Sequence, residues 1–155
     1  MFTKIVWATD GSQNADRALA YAVELSERDG AEVHVCHVIE KFPVTRVAGQ
    51  DVHLDEKGLD DKIQGQADAV ATDNGLRVTV HMSSDRDTDV ARRIADTARE
   101  VGADLIVVGT RGQSPIVGAL LGSVSQRLLH IAACPVLVVP PTTARQPAAE
   151  SLVSG

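Results

Sequence analysis

Aromatic side chains are scarce in this chain: one Trp, one Tyr and two Phe make up 3% of 155 residues. That is too few rings for the stacking platforms on which single-stranded nucleic acid is held. Positive charge is short as well. Fifteen Lys and Arg stand against 21 Asp and Glu, a formal net charge of −6. Such a surface has no general affinity for nucleic acid or for an anionic membrane, so an anionic ligand would need a local site. The two cysteines, Cys36 and Cys134, form no Cys-x-x-Cys pair and read as buried free thiols of a reducing cytosol. Long apolar runs are missing too. The first run, Ile5 to Ala8, follows a single Lys and is cut off by Asp10. This matches neither a signal peptide nor a membrane span, and a cytoplasmic protein is expected.

What is present is an ordinary globular composition, 44% hydrophobic and 23% charged, in a length suited to one domain with a sizeable core. Strand and helix patterns alternate. Ile5-Val6-Trp7-Ala8 is a continuous apolar run, as in a strand covered on both faces. It stops at Thr9-Asp10-Gly11-Ser12, residues that favour turns and helix starts. Ala15, Ala18, Leu19, Ala22 and Val23 form a helical stripe that Gly30 is placed to end. Val33 to Ile39 is a second strand, and Glu40 to about His53, without a clean period, reads as a loop. Leu59, Ile63, Ala67 and Val70 define a second helix, weakened by Gly65 and ending near Asn74-Gly75. Leu76, Val78, Val80 and Met82 alternate with polar residues, the pattern of a strand with one face less covered, hence a sheet edge. Ser83 to Asp89 is polar and suited to start the third helix, whose stripe is Val90, Ile94, Ala98 and Val101. Leu105 to Val108 is a fourth strand. Pro135 to Pro140 brackets a fifth, and prolines mark it as the other edge. Right-handed crossovers then give a doubly wound, five-stranded parallel α/β sheet, order 3-2-1-4-5, with helices on both faces. The domain is expected over residues 1–141, with 142–155 a disordered tail.

Between the fourth strand and the last helix lies Gly109-Thr-Arg-Gly-Gln-Ser-Pro-Ile-Val-Gly-Ala-Leu-Leu-Gly-Ser-Val-Ser125. Val124, Leu128 and Ile131 then fall on one helical face. A glycine-punctuated loop entering a helix is suited to hold an anion, because free amides and the helix dipole point the same way. Ser123 and Gln126 also fit a capping box. No Lys lies in the stretch, so it is not a Walker A loop, and its spacing is not that of the dinucleotide-binding Gly-x-Gly-x-x-Gly. Loops after strands 1 and 4 flank the point where the strand order reverses, which is where such sheets bind ligands. The histidines offer no metal site: His34 and His37 face opposite sides of a strand, and His53, His81 and His130 are isolated. The bland alternative is a βα loop whose glycines only turn the chain.

The spacing Gly109-x2-Gly112-x9-Gly122-Ser123 resembles the nucleotide-binding signature of the universal stress protein family. Lys4 to Ser12, His37-Val38 and Cys134-Pro-Val-Leu-Val-Val resemble other parts of that family, over roughly Phe2 to Pro140. The resemblance implies an ATP-binding sensor or regulatory module, with Mg2+ accompanying the nucleotide. It implies that Asp10 lies by the ribose and the phosphate-bound metal. Ala8, Thr9 and Val38 would lie beside the adenine. Gly109, Arg111, Gly112, Gly122, Ser123, Val124 and Ser125 would contact phosphate and ribose. It further implies a homodimer through the last strand. Trp7 departs from the small aliphatic residue expected there and would crowd a purine. No general base beyond Asp10 is evident near the phosphates, so the alternatives are binding alone, very slow ATP hydrolysis, or a dimeric interaction protein that binds no nucleotide.

Overall fold

The computed structural model describes residues 1–40, 46–47, 50–51, 56–85, 89–110 and 121–141. The chain runs β1 (Lys4–Thr9), α1 (Gln13–Asp29), β2 (Glu32–Glu40), a ribbon of β3 (Arg46–Val47) and β4 (Gln50–Asp51), α2 (Glu56–Asn74), β5 (Val78–Asp85), α3 (Val90–Val101), β6 (Leu105–Gly109), α4 (Ser123–Ile131) and β7 (Val136–Val139). Five strands pair in the order β5-β2-β1-β6-β7, all parallel. Counted along the chain without the ribbon, this is 3-2-1-4-5, with the alternating strand and the proline-bracketed strand at the edges as expected.

Period-two alternation sorts the core into two layers. Ile5, Trp7, Val33, Val35, Leu105 and Val107 pack with Ala15, Ala18, Ala22, Ile63 and Ala67, on the side of α1 and α2. Val6, Ala8, Cys36, Val38, Ile106 and Val108 pack with Ala91, Ile94, Ala95, Ala98 and Leu128, on the side of α3 and α4. Helix limits follow from local chemistry. Ser12 caps α1, its Oγ accepting from the Ala15 amide at 3.3 Å, and Gly30 ends it at φ 71°. Asp89 caps α3 by accepting from the Arg92 amide at 3.2 Å, and Gly102 closes it at φ 68°. Both ends satisfy amides or carbonyls that a helix leaves open.

Several expectations change. Residues 40–53 are not all loop, since β3 and β4 pair antiparallel; two-residue strands are too short to show a period. Ser83, Ser84 and Asp85 are strand rather than helix start, because β2 runs on to Glu40 and supplies them with ladder partners. The capping box at Ser123 does not form. Gly122 is the N-cap, no side chain caps the helix, and Ser123 already lies within it. Cys134 is only half-buried, whereas Cys36 is buried. His81 is not isolated. His34 Nδ1 lies 3.1 Å from His81 Nε2 and the rings stack at 5.3 Å. His81 is registered opposite Cys36, which places it diagonal to His34 on the same sheet face. Residues 142–155, and with them the expected tail, lie outside the described residues.

Candidate functional site

The strand order reverses between β1 and β6, and the chain leaves the carboxyl end of each there. On the β1 side the turn is built from its own side chains. Thr9 Oγ1 accepts from the Gly11 amide and Asp10 Oδ1 from the Ser12 amide, each at 3.0 Å. Two such side-chain-to-backbone turns in succession take the chain from strand to helix in four residues. Gly11 has φ 77°, and a Cβ there would also collide with Leu59 Cδ1; its glycine is required by the turn itself. Helix α2 closes over this loop. Besides the Leu59 contact, Lys62 Nζ donates to the Gly11 carbonyl at 2.7 Å and pairs with Asp16 at 3.2 Å. From below, His37 Nδ1 lies 2.8 Å from the Thr9 carbonyl. A carbonyl only accepts, so the hydrogen is on Nδ1, and Nε2 faces Asp60 Oδ1 at 3.8 Å.

On the β6 side, Gly109 ends the strand against the first turn of α1. A Cβ there would lie 2.9 Å from the Asn14 carbonyl oxygen. Thr110 donates its amide to the Val139 carbonyl at 2.9 Å and accepts from the Gly122 amide at 2.5 Å. Ser125 is buried, and its Oγ donates to the Gly109 carbonyl at 2.7 Å, so the first turn of α4 is tied to the strand end. Ser123 is exposed and Val124 half-buried. Gly122 has φ −69° and ψ 158°, a conformation open to any residue.

The residues singled out from sequence therefore divide. Thr9 and Gly109 end β1 and β6, Asp10 follows Thr9, and Gly122, Ser123, Val124 and Ser125 form the N-cap and first turn of α4. Ala8 and Val38 are buried on the α3 and α4 face of the sheet. Arg111 and Gly112 lie outside the described residues. Trp7 is fully buried in the opposite layer and donates Nε1 to the Ala15 carbonyl at 2.9 Å, so it does not crowd the face of Ala8 and Val38. Sequence reasoning missed Thr110, His37 and Lys62. The hydroxyl in the Gly-Thr-Arg-Gly run was the one signal available for Thr110; the other two act through tertiary contacts. Burial pushes the Cys36 thiol up to about 11, which leaves it a packed, unreactive group on that face.

This arrangement can receive an anion at the start of α4, where first-turn amides lack intrahelical acceptors. Among the described residues, no three His, Cys, Asp or Glu side chains are grouped to hold a metal ion. No described helix is long and apolar enough to cross a membrane.

Comparison with known proteins gives a consistent result. The profile of the universal stress protein family matches residues 1–140. Universal stress protein YxiE of Bacillus subtilis is 33% identical over 151 residues, covering 90% of this chain and 99% of that one. A universal stress protein of Thermus aquaticus is 35% identical over 141 residues, covering 90% and 99%. Among solved structures, a universal stress protein family member from Burkholderia pseudomallei superposes with TM-score 0.67 at 32% identity, covering 90% of this chain and 96% of that one. A universal stress protein solved in complex with cAMP gives TM-score 0.64 at 25% identity, covering 89% and 96%.

Proposed function

The chain belongs to the universal stress protein family, and from that premise we propose that it is a cytoplasmic adenine-nucleotide-binding protein that acts as a sensor or regulatory module in stress response. The observation that carries this is the strand-order reversal between β1 and β6, with Asp10 following the one strand and the segment that leads to α4 following the other. Ala8, Thr9 and Val38 are assigned to the base, Ala8 and Val38 with apolar side chains, and Asp10 to the ribose. Gly109, Arg111, Gly112, Gly122, Ser123, Val124 and Ser125 belong to the phosphate and ribose side. The conformation of Gly122 does not demand glycine. We read its missing Cβ as room for close approach of a ligand. A relative at 25% identity has been solved with cAMP, which supports an adenine nucleotide as ligand.

ATP is the nucleotide we propose. With no built metal cage among the described residues, Mg2+ would arrive on the phosphates, with Asp10 an indirect partner. When bound, the metal supplies charge neutralisation for the polyphosphate; Asp10 would orient the ribose, and the α4 amides would hold the phosphate oxygens. We also propose a homodimer in which β7 pairs with its two-fold mate, since β7 is an edge strand carrying Val136, Leu137 and Val138 only half-buried.

The test is to denature the purified protein, identify released nucleotide by chromatography, and titrate ATP with Mg2+. Ser123→Ala should weaken binding by about ten- to hundredfold, the loss of one charge-assisted bond of ~1.5–3 kcal/mol. Gly122→Val should abolish binding while circular dichroism stays that of wild type. Equal affinity in all three folded proteins would sink the site assignment.

A further inference from the structure

Two imidazoles meet at the margin of the sheet, away from the residues given to the nucleotide. His34 and His37 face opposite sides of β2, as the strand period requires. The second ring comes from the neighbouring strand instead, and His34 Nδ1 lies 3.1 Å from His81 Nε2. Helix α3 packs over β1 and β2 on this face, while α2 covers β5 from the opposite one. His34 is therefore buried, and His81 stands half-buried on an edge strand where the helical layer stops. The tautomer of His34 is set from outside the pair. Its Nε2 is buried without a hydrogen-bond partner and faces Glu32 Oε2 at 3.6 Å. A carboxylate oxygen favours a hydrogen on that nitrogen, which leaves the lone pair on Nδ1, toward His81. Glu32 is held in turn by Arg77, Nη1 to Oε1 at 2.9 Å. A carboxylate behind the far nitrogen of an imidazole is the arrangement that orients histidine as a metal ligand.

We infer that His34 Nδ1 and His81 Nε2 chelate a divalent transition ion, Zn2+ or one of its nitrogen-seeking neighbours, and so clamp β2 to the edge strand β5. The spacing suits this. At the usual Zn–N length, two nitrogens subtending a tetrahedral angle lie about 3.3–3.4 Å apart, so the rings need part by only a few tenths of an ångström. In the metal-free pair His81 Nε2 donates to His34 Nδ1. On chelation that hydrogen moves to His81 Nδ1 by exchange with water, and both rings stay neutral. Among the described residues no third His, Cys, Asp or Glu is grouped with the two rings, so water fills the other positions on the open side of β5. Imidazole nitrogen favours Zn2+, Cu2+ and Ni2+, whereas Mg2+ prefers oxygen. The site is thus separate in place and in chemistry from the Mg2+ that would travel on a nucleotide.

The experiment titrates Zn2+ into the full chain by calorimetry, with no nucleotide added and with Mg2+ as the control ion. Thermal unfolding is recorded with and without metal. Wild type should bind one Zn2+ per chain and melt roughly 5–10 °C higher at a hundredfold excess over Kd. Mg2+ should produce no such rise. His34→Gln and His81→Gln should each lose at least the roughly tenfold in affinity that removal of an outer-shell partner costs, together with the rise in melting temperature. His130→Gln and Cys134→Ser should bind as wild type. In wild type the ring resonances of His34 and His81 should be the histidine signals that move with Zn2+. If His34→Gln does not fold, His81→Gln, altered only on the edge strand, carries the comparison. A wild type that takes up no Zn2+ at about millimolar concentration would overturn the inference. So would unchanged affinity in His81→Gln, or a loss in His130→Gln or Cys134→Ser that places the ion elsewhere.

Discussion

Gly109 is the first glycine of the signature, and its structural surroundings predict that its substitution acts on stability before it acts on any ligand. A Cβ at this position would sit 2.9 Å from the Asn14 carbonyl oxygen, 3.0 Å from its carbon and 3.2 Å from its Cβ. Two of these are backbone atoms, and they cannot swing aside as a side-chain tip could. They belong to the first turn of α1, which is pinned by the Ser12 cap and by the Asp16 amide bonded to the Ser12 carbonyl at 3.0 Å. Relief requires α1 or the end of β6 to move by a few tenths of an ångström in a packed interior. Overpacking of this kind costs about 1–3 kcal/mol. For a chain of this size each 1 kcal/mol is worth roughly 2–4 °C of melting temperature, so Gly109→Ala should melt roughly 2–12 °C lower. Gly65 supplies the comparison. It lies inside α2 with nothing within 4 Å of an added Cβ, so Gly65→Ala should gain up to ~1 kcal/mol, a rise of roughly 2–4 °C. Calorimetric melts of wild type and both variants, without nucleotide, make the measurement. A Gly109→Ala protein that melts with wild type would refute the packing argument. If the same protein had lost nucleotide affinity, Gly109 would belong to the ligand instead.

The sheet was legible in the sequence because each of its strands carries a pattern that burial imposes. Ile5 to Ala8 and Leu105 to Val108 are apolar throughout because layers cover both faces, and Val78 and Val80 alternate with polar residues because β5 is an edge. Gly30 and Gly75 mark helix ends for a local reason, their positive φ. What could not be read depended on register and packing. The pairing of His34 with His81 follows only once Cys36 is set opposite His81. The reach of Lys62 and Leu59 over Gly11 needs α2 laid across the β1 turn. The contribution of His37 needs the Thr9 carbonyl above it. At the candidate site the signature showed where to look but not what each glycine does. Gly109 is confined by Asn14, whereas Gly122 has an unconstrained backbone, and a motif writes both with the same letter.

Two further outcomes are expected. Sedimentation at micromolar concentration should give a particle of twice the 16.4 kDa chain, in keeping with pairing through β7; a monomer throughout that range would refute it. The second concerns acid. Burial, and for His34 also the charge of His81, hold both imidazoles below the usual histidine range. Glu32 opposes the shift at His34, with Lys4 adding to it; Glu100 opposes it at His81, with Arg93 adding to it. The folded pair therefore takes up protons less readily than the unfolded chain. Its contribution to stability is full above about pH 6.5, the unfolded value. It is lost as pH falls from there through the depressed folded values. Protonating both rings would also set like charges against each other where the two nitrogens now lie 3.1 Å apart. Melting temperature should thus fall between about pH 7 and about pH 5, and the double variant His34→Gln/His81→Gln should fall less steeply over the same window. Parallel declines in the two proteins would mean that the acid sensitivity resides elsewhere, in carboxylates that lose their partners on protonation.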